Sequence, residues 1–298
     1  MNNLDNSLKT STAHPEAPKH FQVECDKSLS ILWGWFGTKS STRATLELLS
    51  EMKAYDSRLI PHEPGGIKTG SGDHFDFYVW ASRTPGILNL GGDLSHMVKS
   101  IRAKDREALL DYATLCVDVI YSRACNYNST GMITLALVQG DALGGGFEAA
   151  LANDVIIAEE YARFGLPEIV FNLFPGMGAY SLLSRRVGPR IAKDMMLSGK
   201  TYSASDCLEM GVIDKIVPKD QGVTALNEYV SKIRYRKNGI AGVYKARRTV
   251  LPITHEELTT ITTQWVDAAL RVKEKDLCMM MRLVTKQQHK LENIQDRT

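Results

Sequence analysis

Apolar and polar residues alternate along Phe21–Cys25 and again along Leu29–Phe36, the period-two signature of short strands, which suggests an opening β-hairpin. Over Ser41–Tyr55 the apolar positions recur instead at helical spacing. Pro61–Asp73 is rich in glycine and proline and reads as a loop; its Lys68-Thr69 pair follows glycines at the wrong spacing for a phosphate-binding loop. Strand and helix patterns then alternate: a strand over Phe75–Trp80, a long helix near Arg106–Ser122, a strand over Ile133–Gln139, a helix opening at Gly145 and a strand over Asp154–Ala158. Such alternation predicts an α/β fold with parallel strands and crossover helices. From about Gln221 the pattern is almost wholly helical, with helices expected over Thr254–Lys275 and Asp276–Leu291.

Composition narrows the function classes. A chain of 298 residues with 44% hydrophobic content can bury a full core, and it suits one large domain with an appendage. Basic residues (36) nearly balance acidic ones (34), so whole-chain charge gives no reason to expect nucleic acid or an anionic membrane as partner. Five scattered cysteines without a C-x-x-C pair read as reduced thiols rather than zinc ligands or a redox dithiol. Residues 1–19 are polar with prolines and read as a disordered leader without the apolar centre of a signal peptide; no run resembles a membrane helix, and a cytoplasmic location is expected. The histidines have no ligand spacing, so neither a metal nor another cofactor is expected.

Three segments carry candidate chemistry. In Gly140–Ala150 three glycines, Gly144 to Gly146, separate an apolar strand from a helix. Backbone N–H groups at such a turn are unpaired and able to hold a negatively charged oxygen, although a glycine turn also serves close helix packing. Glu148 follows just inside the helix, a carboxylate in an otherwise apolar stretch. Phe164–Ile169 places a second carboxylate, Glu168, among apolar neighbours, and Leu88–Leu94 offers another glycine turn. Either glutamate alone reads equally well as a capped or salt-bridged structural residue.

Together, and in this order, the three segments resemble the crotonase (enoyl-CoA hydratase/isomerase) superfamily, with its A-G-x-D, G-G-G-x-E and F-G-x-P-E turns. The resemblance implies a spiral of ββα units with a helical C-terminal appendage: an α/β core over 20–220 bearing the active site, and a region over 221–298 for oligomerisation and pocket closure. It places the acid/base pair on Glu148 and Glu168, and the thioester-oxygen donors on the backbone N–H groups of Gly92 and Gly145. Leu88–Leu94, Ala136–Gly140, Gly144–Leu151 and Leu173–Tyr180 are most similar to the branch that makes cis-2-enoic diffusible signal factors. In that branch Leu143 and Gly144 would adjoin the substrate, and Met177, Trp265 and Leu283 would line the acyl pocket.

The family's usual N-R-P run is absent from Ile31–Leu49, which removes a CoA-site feature and directs expectation to an acyl-carrier-protein thioester, with acyl-CoA as the other carrier. Ser231–Arg248 holds seven basic residues and no acid, and reads either as a solvated helix face or as a landing site for an acidic carrier. The resemblance implies dehydration of a 3-hydroxyacyl thioester followed by hydrolysis to a free cis-2-enoic acid, in a homotrimer or hexamer. The rival readings are a trans-2-enoyl-CoA hydratase or isomerase, and a non-catalytic scaffold that binds a signal-receptor protein.

Overall fold

The computed structural model describes residues 20–37, 42–62 and 65–295, so the leader expected over 1–19 lies outside the described residues. Strands β1 (Phe21–Asp26) and β2 (Ile31–Phe36) pair antiparallel, as their alternation predicts. Helix α1 (Leu46–Asp56) begins where the Thr45 side chain accepts a hydrogen bond from the Leu48 N–H. The glycine-rich loop contains three two-residue strands, β3 (Ile60–Pro61), β4 (Ile67–Lys68) and β5 (His74–Phe75), which pair with one another. Next come β6 (Phe77–Ser82), β7 (Gly86–Asn89), α2 (Leu94–Ala103), α3 (Arg106–Ala124), β8 (Ile133–Val138), β9 (Gly140–Leu143) and the short α4 (Gly145–Leu151). They are followed by β10 (Val155–Glu159), β11 (Arg163–Gly165), α5 (Ala179–Val187), α6 (Pro189–Ser198), β12 (Thr201–Ser203), α7 (Ala204–Glu209) and β13 (Lys215–Val217). Four helices complete the chain: α8 (Gly222–Ile233), α9 (Lys237–Val250), α10 (His255–Ala269) and α11 (Glu274–Gln295).

The large sheet has the order β1-β2-β6-β8-β10-β13, parallel except for the opening hairpin. A second sheet has the order β12-β11-β9-β7. Three times a strand of the large sheet continues into one of the small sheet, from β6 to β7, β8 to β9 and β10 to β11, and helical structure follows each pair. This is the spiral of ββα units that the motifs imply. It has a direct consequence for function. Because β7, β9 and β11 are neighbours in one parallel sheet, the turns after them, far apart in sequence, emerge side by side.

Strands β2, β6, β8 and β10 are buried along their whole length, because apolar layers cover both faces of the large sheet. On one face Ile31, Trp33, Val79, Leu135 and Ile157 pack against Leu226 and Val230 of α8. The other face meets the main core, to which α1, α3 and α10 contribute. The C-terminal region is helical as expected, although the two last helices are bounded at Ala269 and Glu274 rather than near Lys275. Both return to their own core: α10 packs on α3 and α11 on α2. Among the described residues no helix is long and apolar enough to cross a membrane.

Candidate active site

Glu148 stands on the first turn of α4 and is 1% exposed. Its Oε1 accepts the backbone N–H groups of Met177 (3.0 Å) and Ala179 (2.9 Å). These two donors favour the carboxylate, yet burial outweighs them and pushes the pKa up to about 7. Glu168 lies in the 3-10 turn Pro167–Phe171, which follows β11. Its Oε2 is buried and, among the described residues, has no hydrogen-bond partner. Burial, and after it the charge of Glu148, raise this second carboxyl to about 8. Both carboxyls therefore hold a proton more readily than an ordinary glutamate, and the Glu148 charge disfavours ionising Glu168 beside it.

Two backbone donors face the same space, and their orientation follows from peptide planarity. In a trans peptide the N–H points opposite the preceding carbonyl. The Gly91 carbonyl accepts the Ala44 N–H at 2.8 Å, which turns the Gly92 N–H away from Ala44. The Gly144 carbonyl accepts the N–H groups of Phe147 and Glu148, which turns the Gly145 N–H out of α4. Among the described residues neither the Gly92 nor the Gly145 N–H has an acceptor, and both residues line one cavity with Glu148 and Glu168. Two glycines make this closeness possible. A Cβ at Gly146 would stand 2.2 Å from the Asn89 carbonyl oxygen, and one at Gly144, where φ is +51°, would stand 2.7 Å from Glu168 Oε1.

The cavity measures about 80 Å³ and, away from the carboxyls and the glycine turns, is mostly apolar. Met177 and Trp265 are among its lining residues. Trp265 comes from α10 and lies against Gly176, whose carbonyl accepts the Thr262 hydroxyl at 3.0 Å. The C-terminal region thereby forms part of the wall. Farther along the lining stand Phe36, Leu48, Met52 and Trp80, which no motif had singled out. The other expected residues are placed differently. Leu143 sits over Gly165 and does not line the cavity, and Gly144 adjoins it only through its backbone beside Glu168. Leu283 is also outside the lining: it is half-buried on α11, next to the buried Val284, while Gln287 of the same helix donates to the Leu90 carbonyl in the Leu88–Leu94 turn. One residue along a helix is a rotation of about 100°, enough to take a side chain off that face.

Sequence reasoning missed Tyr112. Its buried hydroxyl accepts the Asp93 N–H at 2.8 Å and donates to the Ala44 carbonyl at 2.7 Å, clamping the turn that carries Gly92. In sequence it is one more large residue on the apolar face of a helix, between Leu109 and Cys116. Cys116 also lines the cavity, but burial pushes its thiol up to about 12, so at neutral pH it is no nucleophile. The basic stretch is corrected as well. Lys237 pairs with Asp76, and Arg248 with the buried Asp154, so acids from other elements occupy part of what reads as an uncompensated face.

The chain matches the enoyl-CoA hydratase/isomerase family over residues 78–273. It is 43% identical over 91 residues to the probable enoyl-CoA hydratase echA8 of Mycobacterium tuberculosis, a match covering 30% of this chain and 35% of that protein. With the 2,3-dehydroadipyl-CoA hydratase of Escherichia coli it shares 40% identity over 99 residues, 33% and 39% of the two chains. The matched stretch thus spans little more than a third of either curated relative. In fold it is similar to an enoyl-CoA hydratase from Bacillus halodurans (TM-score 0.72, 17% identity, 89% of this chain and 99% of that one). It is similar also to DspI from Pseudomonas aeruginosa (TM-score 0.66, 19% identity, 83% and 93%).

Proposed function

The chain belongs to the enoyl-CoA hydratase/isomerase family, and from that premise we propose that it dehydrates a 3-hydroxyacyl thioester to the cis-2-enoyl form and then hydrolyses the thioester, releasing a free cis-2-enoic acid. One observation carries the reading: two buried carboxyls with raised pKa values converge in an apolar cavity with two N–H groups that have no acceptor among the described residues.

In the proposed dehydration the thioester oxygen lies between the Gly92 and Gly145 N–H groups. Glu148, its carboxylate held by two N–H groups, removes a proton from C2, and negative charge gathers on the thioester oxygen as an enolate. The C3–O bond then breaks as Glu168 gives its proton to the departing hydroxyl, which leaves as water. Glu148 is now protonated and Glu168 ionised, the reverse of the starting state. Hydrolysis restores it: Glu168 takes a proton from the attacking water, and Glu148 protonates the leaving thiolate. Each carboxyl acts once as base and once as acid, a cycle that suits a pair with similar, raised pKa values.

The synthase reading over the plainer hydratase one is supported by the segment Leu173–Tyr180. This segment, which carries much of the resemblance to the signal-factor branch, also supplies both N–H donors to Glu148 and places Met177 in the cavity wall. The missing N-R-P run favours a carrier-protein thioester as substrate. Replacing Glu148 by Gln is expected to leave the fold intact and to lower turnover by roughly 10²- to 10⁴-fold; near-wild-type turnover would remove Glu148 from the mechanism. The family resemblance further points to a homotrimer or hexamer. Light scattering is expected to give about three or six times the 33.1 kDa chain mass, and a monomer alone would reject this assembly.

A further inference from the structure

We propose that a second cleft, where the C-terminal ends of α3 and α4 meet α5 and α9, binds a phosphate-class oxyanion. It shares no lining residue with the catalytic cavity, and four arginines line it: Arg185, Arg186, Arg247 and Arg248. The carboxylates that pair with them number three, Glu257, Asp214 and Asp154, which leaves one positive charge in excess.

The donors show where that excess lies. Arg185 is fully engaged, through both terminal nitrogens with Glu257 and through Nε with the Leu251 and Pro252 carbonyls. Arg186, with a side chain 7% exposed, gives one terminal nitrogen to Asp214 and the other to the Asn153 and Asp154 carbonyls just beyond α4. Arg248 uses one nitrogen on Asp154. Arg247 is different: its nearest carboxylate oxygen, Asp154 Oδ1, is 3.7 Å away, and among the described residues its guanidinium makes no hydrogen bond. Asp154 is engaged more closely by others, its Oδ2 accepting from Thr134 and its Oδ1 from Arg248, and it holds Arg247 only as a longer ion pair. A planar fork of N–H donors therefore stands open beside a second guanidinium with donors to spare, the geometry that a phosphate or sulfate engages in two parallel bonds.

The rest of the cleft suits such a guest. Leu151, Leu182, Leu251 and Ile253 form apolar walls, which lower the local dielectric and strengthen charge-assisted bonds. Its volume of about 40 Å³ is room for a few waters at roughly 10–15 Å³ each, the size of an oxyanion.

Calorimetric titration of the full chain with inorganic phosphate, at constant ionic strength and with chloride as control, is expected to show one saturable site per chain in the millimolar range. Arg247→Ala should weaken binding by about tenfold or more and leave turnover of a small thioester mimic, which makes no carrier contact, unchanged. Arg247→Lys, which keeps the charge and loses the fork, should fall between the two. Circular dichroism checks each variant, and if Arg247→Ala does not fold, Arg247→Lys against wild type decides alone. Glycerol phosphate in a parallel titration separates free phosphate from a phosphomonoester as the preferred guest. No saturable binding of either, or equal affinity in the Arg247 variants, would overturn the site.

Discussion

Replacing Glu168 by Gln removes a charge and keeps a shape, so its effect on stability depends on how strongly the folded protein resists ionising that carboxyl. Burial first, and the Glu148 charge second, raise the pKa from 4.5 to about 8. A carboxyl raised in this way holds its proton more tightly folded than unfolded. Its stabilising contribution is complete below about pH 4.5 and is lost as pH climbs through about 8. At about 1.36 kcal/mol per pKa unit, the shift sets a ceiling of about 5 kcal/mol on the penalty near pH 9. Relaxation and water entry reduce it to an expected value of roughly 1–3 kcal/mol. The buried amide meets the same surroundings at every pH, so its own cost cancels when two pH values are compared. With about 2–4 °C of Tm per kcal/mol, the advantage of Glu168→Gln over wild type should grow by roughly 2–12 °C between about pH 5 and pH 9. Scanning calorimetry of both proteins at both pH values measures it. An equal Tm difference at the two pH values would refute the claim that the fold keeps Glu168 protonated.

Tyr112→Phe deletes the hydroxyl that ties Asp93 N–H to the Ala44 carbonyl and touches no catalytic carboxyl. The expected outcome is a kcat loss of about tenfold at nearly constant KM, since a misaligned Gly92 donor weakens transition-state charge stabilisation more than ground-state binding. Steady-state kinetics check it, and a changed KM at unchanged kcat would make the tyrosine a binding residue instead.

The parts of this molecule legible in its sequence are those where local chemistry is unusual: glycines between a strand and a helix, and glutamates among apolar residues. Gly92, Gly145, Glu148 and Glu168 stand together in one cavity because the three segments follow neighbouring strands β7, β9 and β11. The second sheet itself was not legible, since its strands are only three or four residues long and periodicity needs more. Leu143 and Leu283 were misplaced for a related reason: a leucine reports burial, whereas the side of the turn or helix it occupies is set by packing. Arg248 was misread because its partner Asp154 lies 94 residues away, beyond any local charge pattern. Tyr112 was invisible because a buried tyrosine hydroxyl and a core aromatic look alike until its two partners are seen.

The most direct test of the proposed function is the product. Purified protein supplied with a 3-hydroxyacyl thioester of about a dozen carbons, long enough for the apolar cavity to contribute about 0.8 kcal/mol per buried methylene, needs no added thioesterase in the proposed cycle. Chromatography against cis and trans standards, with the thioester and free-acid fractions separated, reads both steps at once. The account predicts free cis-2-enoic acid, and finding only thioester-bound trans-2-enoyl product would contradict it, leaving a hydratase on the same two glutamates.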